Sequence, residues 1–193
     1  NGLGINFSAV ICERLKYHSL ARRPLKFCNV SVIYNGKLVV NHLRMEEIEP
    51  LKNFEEPIVF EIPASLISRN DPSQKIEMAN KKFSKGKLVL RTSSTPFGHG
   101  GKRSELNCID VTGEIGVIAS YKISEIGPLR YYPQAQSIYG ECECPILEDP
   151  EYDCVLNDRE KLADNERTQA LRWWICSKID ELGAQIAETE QKD

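Results

Sequence analysis

Hydrophobic and polar positions alternate along much of the first 125 residues, and the spacing predicts short strands. Ile5, Phe7, Ala9 and Ile11 alternate with Asn6 and Ser8, the period of a half-buried strand. Residues 13–24 are polar and basic, end in Arg22-Arg23-Pro24, and read as a connection. Phe27 to Tyr34 is rich in β-branched and aromatic residues, and Lys37 to Val40 resumes the pattern after Asn35-Gly36. A type I′ turn needs positive φ at both central residues, which Asn and Gly tolerate, so this segment predicts a β-hairpin.

Glu46 to Glu56 is acidic and mixed, and Ile58, Phe60 and Ile62 then give a strand that Pro63 stops. Residues 64–84, with Asn70-Asp71-Pro72, read as a loop or short helical turn. Strands are expected at Lys87–Thr92, at Leu106–Val111 and along Ile115, Val117, Ala119, Tyr121 and Ile123, with Thr112-Gly113 turning between the last two. Few helices fit between these strands, so the reading is mainly β, an antiparallel β-sandwich over residues 1–125. Strand count and length suit a C2-like or immunoglobulin-like sandwich as an architecture, which carries no function with it.

Residues 126–156 change character. Pro128, Pro133, Pro145 and Pro150 punctuate them, and they read as an extended proline-rich strap. Residues 157–193 read as a C-terminal amphipathic α-helix, with Asn157 and Glu160 as one start signal and Asp164-Asn165 as another. Leu171, Ile175, Ile179, Leu182 and Ile186 fall on one stripe. Trp174 borders that stripe, Trp173 is turned about 100° from its neighbour, and Gly183 weakens the helix modestly.

Charge divides the chain. Residues 1–130 carry 19 Lys and Arg against 13 Asp and Glu, whereas residues 131–193 carry 6 against 15, for a net charge of −3. A basic front and an acidic rear point either to complementarity within the molecule or to two surfaces with different partners. No apolar run approaches the ~18 residues of a membrane span. Asn1-Gly2-Leu3-Gly4 lacks an initiator methionine and a signal pattern, which reads as a fragment of a larger protein or a processed product. Seven cysteines at irregular spacing suit reduced thiols in the nucleus or cytoplasm better than a disulfide framework.

Candidate chemistry is sparse. Thr95 to Ser104 contains glycines beside Lys102, yet Pro96 stands where a Walker loop needs its first glycine, and Arg103 where it needs Ser or Thr. Lys81, Lys82, Lys85, Lys87, Arg91, Lys102 and Arg103 predict one basic face for an acidic partner, without the interleaved aromatics of a stacking platform. Cys142, Cys144 and Cys154, with His99 or Cys108, hold the right atoms for zinc but not the double C-x₂-C spacing, and the expectation is no metal and no cofactor. His18, His42 and His99 sit in no recognised nucleophile or metalloprotease motif, so no enzyme is expected. The function expected is therefore a non-catalytic protein-interaction module, a scaffold or regulatory subunit of an intracellular complex. Its partners would bind through Trp173, Trp174 and the basic residues. The alternative is a nucleic-acid-associated protein using the 81–103 basic face.

Overall fold

The computed structural model describes residues 7–98, 101–114, 116–156 and 160–192. The expected contributions of Ile5, His99, Ile115 and Asn157 lie outside them. At the centre is a five-stranded sheet of β3 (Ile58–Glu61), β6 (Lys87–Thr92), β9 (Ile138–Glu143), β7 (Cys108–Thr112) and β8 (Val117–Lys122), side by side in that order. Every neighbouring pair is antiparallel except β7 and β9, which run parallel. The β-rich reading therefore holds, but the sheet is mixed, and among the described residues no second sheet packs face to face with it. A helix takes that place.

That helix is α5 (Glu166–Glu190). It starts at the second of the two expected signals. Asn165 accepts from the Thr168 amide, and Thr168 returns a bond to the Asn165 amide, a reciprocal cap that satisfies two otherwise orphaned donors. The stripe of Leu171, Ile175, Ile179, Leu182 and Ile186 is buried in one cluster with the sheet face formed by Phe60, Leu88, Cys142, Val111 and Ala119. Arg172 lies over Tyr121 of β8 and Lys178 over Phe60 of β3, so the helix touches both edge strands. Gly183, weak as a helix former, is explained by Tyr131: an added Cβ would come within 2.7 Å of that residue's own Cβ.

The segment expected as a strap is woven into the sheet instead. After two short helical turns, α3 (Ile123–Ile126) and α4 (Tyr132–Ala135), it supplies β9, which lies between β6 and β7. Its inward residues are Ile138, Gly140 and Cys142, only one of them large, and Glu141 and Glu143 point away. With so little apolar mass the strand leaves no alternation to see. Gly140 is required by closeness, since a Cβ there would run into the Val89 carbonyl.

The amino-terminal part differs most from expectation. The strand expected at 5–11 and the connection expected at 13–24 are two helices, α1 (Phe7–Tyr17) and α2 (Ser19–Phe27). Cys12 is buried and Ile11 and Leu15 are half-buried, a spacing of one helix face; a dense apolar run had satisfied the two-residue period equally well. The hairpin of β1 (Val30–Tyr34) and β2 (Lys37–Leu43) forms as expected, with φ of 50° at Asn35 and 74° at Gly36. Together these elements enclose a small second core of Cys12, Leu25 and Leu43, backed by Leu15, Val30, Val32, Val40 and Met45. The loop expected at 64–84 contains a further small hairpin, β4 (Ser65–Ile67) with β5 (Lys75–Glu77). Strands of three residues are too short to display a period. No helix among the described residues is long and apolar enough to cross a membrane.

Ile179 is fully buried in the main core, so Ile179→Ala should lower unfolding free energy by about 2–5 kcal/mol in a urea titration. The exposed Gln185→Ala on the same helix should change it by no more than about 0.5 kcal/mol.

Candidate functional site

Two clefts hold the side chains with unusual chemistry, one on the outer side of α5 and one on the sheet face opposite α5. The first, of about 250 Å³, lies between the start of α5, the turn after α3 and Arg69, two residues past β4. Trp173 projects from α5 at its rim with 38% of its surface exposed. The Arg69 guanidinium stacks over the indole at 4.2 Å. Arg172 is held by donating from Nη2 to the Ile126 carbonyl at 3.1 Å. Asp164, the one carboxylate among the described residues lining the cleft, accepts from Gln169 at 2.9 Å. Arg69 has no ion pair among the described residues, so its in-plane N–H groups remain available.

The second cleft lies where α2 crosses the back of the sheet. Arg22, only 4% exposed, reaches down from α2 to the buried Asp110 of β7. Its Nη2 donates to Asp110 Oδ1 at 2.7 Å, and its Nη1 donates to the Glu105 carbonyl at 2.6 Å. The Ser120 hydroxyl donates to the same carboxylate oxygen at 2.7 Å. Burial pushes the Asp110 carboxyl above its ordinary range, and the Arg22 guanidinium and Ser120 hydroxyl pull it part of the way back. Lys26 of α2 pairs with Glu141 of β9 beside it.

The structure divides the expected basic residues. Lys81, Lys82 and Lys85 lie in the loop leading to β6, with Lys87 at the strand's first position. Arg91 is at the far end of β6, and Lys102 and Arg103 sit beyond it in a 3₁₀ turn against α1. Several are occupied: Lys82 pairs with Asp149 at 3.8 Å, Lys87 with Glu143 at 3.4 Å, Lys102 with Glu13 at 3.5 Å and Arg103 with Glu46 at 3.3 Å. Two of these pairs, and Lys26 with Glu141, join the basic front to the acidic rear, so the charge division is in part complementarity within the molecule. Neither basic group lines the Trp173 cleft. The tryptophans separate as their helical angle requires: Trp174 packs half-buried on the core and Trp173 faces out.

Among the described residues no three His, Cys, Asp or Glu side chains converge on a metal-binding geometry. Cys142, Cys144 and Cys154 are buried, and burial pushes all three thiols up, Cys144 to about 12. Cys108, whose thiol lies 3.8 Å from Asp110 Oδ1, is likewise pushed to about 12, chiefly by burial. Arg22, Asp110 and Arg69 were not singled out by sequence. Asp110 left a readable signal, a lone carboxylate in the apolar run Cys108-Ile109-Asp110-Val111, because a buried charge demands a partner. Comparison of the chain with protein-family models, with curated proteins and with solved structures finds no match in any of the three.

Removing one member of a buried ion pair strands the other. Arg22→Ala should therefore cost about 3–5 kcal/mol in chemical denaturation, against less than about 1 kcal/mol for Lys26→Ala, whose pair is partly exposed. Cys28 alone among the seven thiols is exposed. A chromogenic disulfide reagent at about pH 7.5 should modify one thiol per folded chain, Cys28→Ser should abolish that reaction, and denaturation should release the remainder.

Proposed function

We propose that this chain is a non-catalytic protein-interaction module, a subunit or regulatory domain of an intracellular complex, and that it docks a partner segment on the outer side of α5. The observation that carries this reading is the Trp173–Arg69 stack at the rim of a cleft. A semi-exposed indole offers a large rigid contact area at little entropic cost, and Trp and Arg dominate the energetic anchors of interfaces. Stacking fixes the plane of the Arg69 guanidinium while leaving its edge free, a geometry matched to a carboxylate. Arg69 and Arg172 outnumber Asp164 here. The partner is thus an acidic peptide segment that places a carboxylate against Arg69 and an apolar side chain in the cleft.

The test is a selection of displayed peptides on the folded protein. Enriched sequences should combine Asp or Glu with a neighbouring apolar residue. Their affinity should fall about tenfold or more, roughly 1.4 kcal/mol, in Trp173→Ala and in Arg69→Glu. The thermal midpoint should stay within about 2 °C of the parent in Trp173→Ala, because that side chain lies outside the core. Failure to enrich any sequence, or binding indifferent to both substitutions, rejects this function.

A further inference from the structure

The cleft beneath α2 has a second property, visible in how its charges are matched. It has a volume of about 390 Å³, within the range of small-molecule sites. Among the described residues three carboxylates line it and each is engaged. Asp110 holds Arg22 and Ser120, Glu141 holds Lys26, and Glu46 accepts from the Tyr17 hydroxyl at 3.1 Å and pairs by charge with the Arg103 guanidinium at 3.3 Å. Three cations among the described residues also line it, and two are committed to those carboxylates. Arg91 is the third. It is half-buried on β6, and among the described residues its side chain makes neither an ion pair nor a hydrogen bond. A guanidinium partly withdrawn from water without a counter-ion is energetically exposed, and an anion that enters relieves it.

The walls define what accompanies that anion. Tyr139 and Met45 are half-buried, Leu106 is buried, and Phe27 stands 76% exposed at the mouth. Tyr139 is held in place by an edge-to-face contact with Phe97, with centroids 5.6 Å apart and planes at 83°. An apolar wall beside one free guanidinium selects an amphipathic acid. The three engaged carboxylates select against a second negative charge, so a phosphate dianion fits poorly where a monocarboxylate fits well.

We propose that this cleft binds an organic monocarboxylate with an aromatic or aliphatic body, the carboxylate on Arg91 and the body against Phe27, Met45 and Tyr139. That chemistry has two natural sources, a free small acid and the carboxyl terminus of a peptide ending in an apolar residue.

The test titrates ¹⁵N-labelled full chain with 3-phenylpropionate, with 3-phenylpropanamide, and with an N-acetylated tripeptide ending in a free phenylalanine carboxylate. Amide resonances of Arg91, Gly140 and Glu141 report binding. Saturable shifts with either acid, weakened about fivefold or more for the amide and for Arg91→Gln, support the site. A tighter peptide assigns the source to a chain end, and a tighter phenylpropionate assigns it to a free acid. Should Arg91→Gln fail to fold, the acid–amide comparison on the native chain decides. No saturable shift from either acid up to about 10 mM, or equal affinity for acid and amide, overturns the proposal.

Discussion

The apolar stripe of α5 against one face of the mixed sheet is the contact from which the rest of the molecule follows. A five-stranded sheet cannot leave its apolar face in water, and among the described residues the covering layer is this helix. At 100° per residue the five stripe residues fall within about a quarter of the helix circumference, which leaves an outer side. Trp173 lies on that side as a geometric result of Trp174 lying near the core. The 128–131 segment is fastened to the same helix through Asp180, which accepts from the Arg130 amide at 2.8 Å and the Tyr131 amide at 3.2 Å. The helix thus seals the core, positions the proposed docking cleft and anchors the chain that leads into β9.

The opposite face of the sheet is built by different physics. There the amino-terminal helices and hairpin, with their small core of Cys12, Leu25 and Leu43, meet the sheet largely through charge. Arg22 with Asp110 is the buried contact; Lys26 with Glu141, Lys102 with Glu13 and Arg103 with Glu46 surround it. A buried ion pair adds little net stability, because desolvation consumes most of its attraction, but it tolerates only one arrangement of its partners. Arg22 therefore fixes where α2 sits more than how firmly it is held. That placement roofs β7 and β8 and leaves Val59 of β3 exposed, and the Arg91 cleft opens at the margin of the roof.

Legibility in the sequence followed apolar mass and local chemistry. The Asn35-Gly36 hairpin and the α5 stripe were plain because turn geometry and a long period each left an unambiguous mark. The strands Ile58–Glu61, Lys87–Thr92 and Val117–Lys122 were found to within a residue or two. Helix α1 is not legible because apolar residues from Ile5 to Cys12 are too dense to separate a period of two from one of 3.6. Strand β9 is hidden in the sequence because Gly140 and Cys142 fill two of its three inward positions and prolines flank it. At the sites, Trp173 was legible from helical phase alone. Arg69 was not, since its stacking depends on a chain reversal more than 100 positions away in sequence.

The position of β9 also orders events during synthesis. The β3–β6 pair and the β7–β8 pair both precede it, yet it lies between them and is hydrogen-bonded to each. Until residues 138–143 leave the ribosome, two separate ribbons wait with open inner edges, the condition in which β structure is most exposed to pairing with other chains. Closure then joins strands far apart in sequence, and α5, which emerges after β9, shuts the finished sheet. The molecule is a keystone arch in which the locking piece is delivered after both ribbons it joins.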